Sequence, residues 1–529
     1  MSDESRPAMT RRDLFALIGA AAGSTVMYQA MTSLGHAEES NYRGPLVLDG
    51  DPKSASVLVL GAGLAGMTAA YELRKAGYAV EVLEYSGRAG GRCWSLRGGD
   101  RYIELDGAVQ ECRFDTGLYF NPGPWRIPFH HRGLLDYCKR FRVALEPFIQ
   151  VNYNAYLHAM NAFGGRPQRY RHVQADFTGY IAELLAKATN QSKLDDAITA
   201  EDKEILLEAL RAWGALDESY TYRTGSAASE RRGYAVDAGG GPDAAPIPST
   251  PVGLSEILKS QLWSGLLADR YYAFPTPMFQ PVGGMDMIAE AFQREVGDLI
   301  RFHAKVIAIH QNDRGVTVHY TTDGDRHEAR ADWCVCTIPL SILSQLDLSV
   351  SAPMAAAISA VPYVPATKIG LQMKRRFWEE DEAIYGGITR TDLPIRSIGY
   401  PCSDYGKPGK GVLLGAYAVA DIAAFDFGAL NPPERVTKAI EWGAVIHPQY
   451  KDEFDSGIAV SWQRNPSTLG CFGRWSDDAR RLHYSNLCAI DGRLVLAGEH
   501  VSYLSAWQEG AILSALDAVK RLHRRVLAG

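Results

Sequence analysis

The run VLVLGAGLAGMTAAYEL, beginning at Val57, restricts the fold more tightly than any other part of the chain. Ser56 to Leu60 is apolar and rich in β-branched residues, which favours a strand, whereas Leu64 to Lys75 carries apolar residues at helical spacing. Three glycines, Gly61, Gly63 and Gly66, fill the join. Strand, glycine turn and helix in that order open a dinucleotide-binding fold. The first glycine permits the tight turn, the second lets backbone approach a pyrophosphate, and the third lets helix pack on strand. A second apolar run, YAVEVLE, follows Gly77 and ends at Glu84, 23 positions past Gly61. An acid at that distance holds the adenosine ribose hydroxyls. The expected class is α/β, with a Rossmann-like domain near the start of the chain.

Immediately after Glu84 comes GRAGGR, Gly87 to Arg92, whose glycines and arginines suit a second pyrophosphate contact. With this run the sequence resembles the flavin amine oxidase family, and the resemblance implies FAD, with Gly91 and Arg92 among the residues that hold it. The far end of the chain agrees. RLVLAGEHVSYLSAWQEGAILSALDAVKRL gives a strand over residues 494–497, a turn at Gly498-Glu499 and a helix from about Gln508. It resembles the closing unit of the same family, which implies that Glu499 meets the ribityl or phosphate end of FAD. The helix start at Gln508, Ala511 and Ile512 would then lie against the flavin pyrimidine ring, where positive helix ends favour negative charge. In the middle, IRFHAKVIAIHQNDRGVTVHY reads as two alternating strands joined at residues 312–315, and the family contacts adenine through backbone near Val306. These pieces imply a discontinuous FAD-binding domain over 43–120, 280–345 and 462–529. An α+β substrate-binding domain with a helical part, 121–279 and 346–461, is inserted between them.

The stretch FNPGPWRIPFHH places Arg126 where the L-amino acid oxidase branch of the family has an arginine facing the flavin and gripping the substrate carboxylate. Planar bidentate geometry is the reason for arginine in that role. KRRFWEEDEAIYGGITRTDLPIRSIGYPCSDYG resembles the same branch, which implies that Tyr400 gives its hydroxyl to the carboxylate. Lys368, in PATKIGLQ, occupies the position of a family lysine that holds a water near the flavin. Trp507 would form part of the substrate cage. Ala506 stands where many members have glycine, adding one methyl group beside the substrate. Trp462 resembles another position beside the flavin. Cys471 stands close to where monoamine oxidases bond covalently to the flavin, but the amino acid oxidase branch implies noncovalent FAD.

The implied activity is oxidative deamination of L-amino acids, with molecular oxygen as acceptor and release of a 2-oxo acid, ammonia and hydrogen peroxide. Two enzyme alternatives share the FAD motifs: a primary amine or polyamine oxidase, which has no use for Arg126, and an amino acid monooxygenase. An FAD-binding protein without oxidase turnover is the alternative from another class. With 529 residues the chain exceeds what one core serves. A net charge of −6 gives no footprint for nucleic acid. Eight cysteines contain no C-x-x-C pair, so no metal is expected, and Cys334 and Cys336, two apart in an apolar run, are expected to be buried packing residues. Arg11-Arg12 followed by a short apolar segment and Gly35-His36-Ala37 resembles a twin-arginine export signal over residues 1–37. That reading implies a periplasmic or extracellular protein without stable membrane insertion. The Gly-, Ala- and Pro-rich stretch over 224–253 is expected to be a long loop, of the kind that serves as a lid or a contact in a homo-oligomer, here a dimer.

Overall fold

The computed structural model describes residues 40–191, 199–268, 270–272, 274 and 276–528, so the expected export segment lies outside the described part. In chain order, β1 (Ser56–Leu60), α1 (Leu64–Lys75) and β2 (Ala79–Leu83) form the expected opening unit. The chain later supplies β3 (Trp333–Cys336), then β4 (Ala366–Met373), β5 (Ile388–Thr391), β6 (Ser397–Gly399) and β7 (Gly411–Val419). It closes with β8 (Leu494–Leu496) and α2 (Gln508–Ala528).

Two sheets carry the architecture. The first has the order Ile300–Arg301, β2, β1, β3, β8, Ile490–Asp491, parallel throughout except for the last hairpin. Its strands come from three separated parts of the sequence, because a parallel neighbour can only be reached through a crossover. α1 and α2 cover one face. Met67, Ala70 and Leu73 meet Ile512, Ala515 and Leu522 in one apolar cluster, the small residues allowing the helices to approach closely. Cys334 and Cys336 are buried in the cluster on the opposite face, as their spacing predicts.

The second sheet has seven strands in the order Gln168–Arg169, Tyr156–His158, β5, β6, β7, β4, Phe454–Ser461. It is antiparallel apart from the pairing of β5 with Tyr156–His158. Helices Tyr170–Asn190 and Ala200–Gly214 form the helical part beside it. The paired strands expected around Asn312 are present as Lys305–Asn312 and Gly315–Thr322, and a third, Asp325–Ala331, joins them. The stretch expected to be a long loop contains a helix, Ser226–Arg232, and a short hairpin of Tyr234–Val236 with Ile247–Pro248. Composition missed this order because Arg232 forms a buried ion pair with Asp176 of a distant helix, which pins the segment down.

Candidate active site

The glycine turn has the geometry that a pyrophosphate needs. Gly61 adopts φ +98°, and a Cβ at Gly66 would lie 1.9 Å from the Gly61 carbonyl oxygen, so only glycine permits this helix to start so close to β1. A Cβ at Gly63 would meet nothing within 4 Å, which leaves open space in front of the first turn of α1. GRAGGR lies directly alongside. The Gly90 N–H donates to the Ala62 carbonyl at 2.8 Å, and a Cβ at Gly91 would come within 3.4 Å of the Gly63 Cα. Glu84, at the end of β2, accepts from the Ala62 N–H at 2.6 Å and from Ser86 N–H at 2.8 Å, which fixes its carboxylate beside the turn. The Ala304 N–H donates to the Glu84 carbonyl at 2.8 Å, and Val306 lies two residues further, in the strand Lys305–Asn312.

Four hundred residues later the chain returns to the same place. Glu499 is buried and accepts from Arg92 at 2.8 Å, from the Gly473 N–H, from Ser505 and from the Ala506 N–H. Its oxygens are thus engaged by protein, and it serves here to hold Arg92 and the turn that precedes α2. Ala506 in that turn has φ +69°, a left-handed conformation that explains why glycine suits the position. α2 then begins at Gln508, whose amide reaches Cys93, with Ala511 and Ile512 in its first two turns. Trp462 is buried, and its indole N–H donates to the Pro122 carbonyl at 2.9 Å, supporting the loop that carries Gly123.

In front of this cradle, Arg126 stands in an aromatic box. Its guanidinium carbon is 4.5 Å from the Phe274 ring centre, 5.1 Å from Trp125 and 6.0 Å from Trp507. Its Nε and Nη1 are buried and have no hydrogen-bond partner among the described residues. Burial pulls the guanidinium down to about 9 from its ordinary 12.5, as expected of a cation without a counter-charge. Lys368 on β4, only 2% exposed, sends its Nζ to the carbonyls of Gly123 and Asn121 and lies 5.1 Å from the Trp125 ring and 4.5 Å from that of Tyr417. Burial, with help from Arg126, lowers its pKa to about 7. Trp507 also meets His131 edge-on at 4.8 Å.

Tyr400 is not brought to this box. It sits in the core on the other face of the second sheet, its hydroxyl hydrogen-bonded to Thr389 at 2.7 Å and to His447 at 2.6 Å. Tyr417 on β7 is the tyrosine that faces Lys368 and Trp125, and it shares the field of Arg126. No spacing signal in the sequence marks Tyr417. Glu509 was missed as well. Its carboxylate accepts from the N–H groups of Gly133 and Leu134 at 2.9 and 2.7 Å, anchoring helix Arg132–Arg140 and hence the Arg126–His131 segment against Trp507.

Comparison with known proteins identifies the family. The model of the family described as flavin containing amine oxidoreductase matches residues 64–523. Among curated proteins, the chain is 29% identical over 479 residues to the putative L-amino-acid oxidase YobN of Bacillus subtilis strain 168, covering 88% of this chain and 94% of that one. It is 28% identical over 493 residues to the L-amino acid oxidase Bs29 of Bothriechis schlegelii, covering 91% and 92%. Among solved structures, putrescine oxidase (TM-score 0.56, 17% identity, 90% of this chain and 99% of that one) shares the fold. So does cyclohexylamine oxidase of Brevibacterium oxydans IH-35A (TM-score 0.57, 15% identity, 90% and 100%). The chain belongs to the flavin-containing amine oxidoreductases, and FAD is its cofactor.

Proposed function

We propose that the protein oxidises L-amino acids: amino acid, oxygen and water are converted to a 2-oxo acid, ammonia and hydrogen peroxide. The observation that carries this reading is Arg126, a buried guanidinium with two unengaged donors in an aromatic box beside the cofactor cradle. An amine without a carboxylate would leave that charge uncompensated.

In this reading the turn at Gly61, Gly63 and Gly66, the first turn of α1 and Arg92 hold the pyrophosphate region. Glu84 holds the ribose, backbone near Val306 meets adenine, and the start of α2 at Gln508 faces the pyrimidine ring. FAD, when bound, supplies the two-electron acceptor that oxygen regenerates. Arg126 and Tyr417 take the substrate carboxylate and so fix the α-carbon in one orientation, a proximity effect worth several kcal/mol at the order-of-magnitude level. Trp125, Phe274 and Trp507 exclude water. Lys368, poised near pH 7, holds or releases a proton at Nζ beside the Gly123 carbonyl. FAD is held noncovalently, since burial raises the Cys471 thiol to about 11 and keeps it protonated at neutral pH. Residues 1–37 direct export by the twin-arginine route.

Peroxide production by FAD-loaded protein, measured with the L-amino acids, their D-forms and their decarboxylated amines, tests the proposal. Turnover of L-acids that disappears in Arg126→Ala is expected. Equal turnover of the decarboxylated amines would sink it and assign the protein to the amine oxidases.

A further inference from the structure

A second arginine reaches the same face of the second sheet. Residues paired across neighbouring strands point to one side, and the register links four strands: Lys368 with Tyr417, Leu414 with Gly399, and Ser397 with Arg390. Gly370, two positions from Lys368 on β4, pairs with Leu414 and so joins the first two pairs. That face is the one turned to the Arg126 box, because a Cβ at Gly399 would lie 2.5 Å from the Trp125 ring. Thr389, the neighbour of Arg390, points the opposite way and binds Tyr400.

Arg390 is half-buried. Its stem passes Gly265, where a Cβ would lie 3.4 Å from the Arg390 Cγ, so the glycine leaves room for the side chain to extend. No hydrogen bond or ion pair engages its guanidinium among the described residues. Among the described residues, the phenols of Tyr417, Tyr170 and Tyr271 reach it with their field, and Tyr417 is shared with Arg126. The two arginines also repel one another. Two cations whose fields overlap, with no carboxylate between them among the described residues, are costly unless a ligand brings the missing charge. A monocarboxylic amino acid neutralises one of them.

We propose that the site selects dicarboxylic L-amino acids, with the α-carboxylate on Arg126 and the side-chain carboxylate on Arg390. This rests on the oxidase reading and makes Arg390 a specificity residue.

Two measurements test it. Flavin-loaded protein is titrated with glutarate and with butyrate, neither of which can be deaminated, following the flavin absorbance, for the wild type, Arg390→Gln and Arg390→Lys. Glutarate is expected to bind at least about 10-fold more tightly than butyrate in the wild type; Arg390→Gln removes the advantage and Arg390→Lys keeps part of it. In parallel, kcat/KM is measured for L-glutamate, L-aspartate, L-glutamine and L-leucine. Arg390→Gln is expected to lose about 100-fold on the best dicarboxylic substrate and to change less than about 3-fold on L-glutamine. A wild type that prefers L-leucine to both acids, or an Arg390→Gln that lowers every substrate alike, overturns the inference and leaves the oxidase reading intact. Glutarate binding that depends on both Arg126 and Arg390, without turnover of any L-amino acid, supports the dianion site and removes the oxidase reading.

Discussion

Replacing Arg126 by leucine should move activity and stability in opposite directions. Nε and Nη1 are two buried donors free for a carboxylate, and each charge-assisted hydrogen bond contributes about 1.5–3 kcal/mol. Losing both lowers kcat/KM for L-amino acids by about 1000-fold, through transition-state and ground-state binding together. Turnover of the decarboxylated amines, which never used those donors, stays where it was. Without substrate the balance reverses. Burial takes the guanidinium from 12.5 to about 9, a desolvation cost on the order of 5 kcal/mol at 1.36 kcal/mol per pH unit. Loss of the ring contact at 4.5 Å to Phe274 offsets part of the relief. A net gain of about 1–3 kcal/mol remains, which raises Tm by about 2 °C. Steady-state kinetics on both substrate classes and thermal unfolding without substrate read the two effects. A variant that loses activity and melts lower would refute the reasoning, because Arg126 would then be a structural cation.

Lys368→Met tests the sign of the lysine's linkage. A lysine lowered to about 7 costs the folded state its full penalty below pH 7, and the penalty fades as pH rises, because the unfolded chain still binds the proton. The stability advantage of Lys368→Met in urea unfolding should therefore shrink by about 3 kcal/mol between pH 6 and pH 9; a pH-independent difference contradicts the assignment. Gly66→Ala places a methyl group 1.9 Å from the Gly61 carbonyl oxygen, so the purified variant should carry no flavin absorbance. Ala506→Gly removes the strain of φ +69° and should stabilise the chain by about 0.5–1 kcal/mol, seen as a higher urea midpoint. Acid denaturation should release all the flavin into solution; colour retained on the protein would point to a bond at Cys471.

The glycine turn and the acid beside it were legible because their determinants are local. Gly61, Gly63, Gly66 and Glu84 lie within one β-α-β unit, where spacing alone dictates which atoms meet. The Arg92–Glu499 contact joins residues far apart in sequence, and only the resemblance at both ends suggested that they serve one ligand. The sheet face toward Trp125 was harder to read because it depends on strand register. Tyr400 directly follows Gly399, which faces Trp125, so simple alternation turns the tyrosine to the other side. β7 breaks alternation: the irregularity beside Gly415 puts Leu414 and Tyr417, three apart, on the same face. No sequence pattern announces that bulge. Arg390 was hidden for the same reason, since its face is fixed by pairing with Ser397 rather than by its neighbours.

The first sheet has a consequence for synthesis. β8 can lie beside β3 only after residues 494–496 have been made, and Glu499, which holds Arg92, comes later still. While the chain emerges from the ribosome, the glycine turn is present for most of translation, yet one edge of its central sheet stays open. Such long-range parallel pairing closes slowly and leaves β3 available to other chains in the meantime. If the start of α2 seats the ring as proposed, flavin loading follows translation, and a prematurely ended chain lacks that seat.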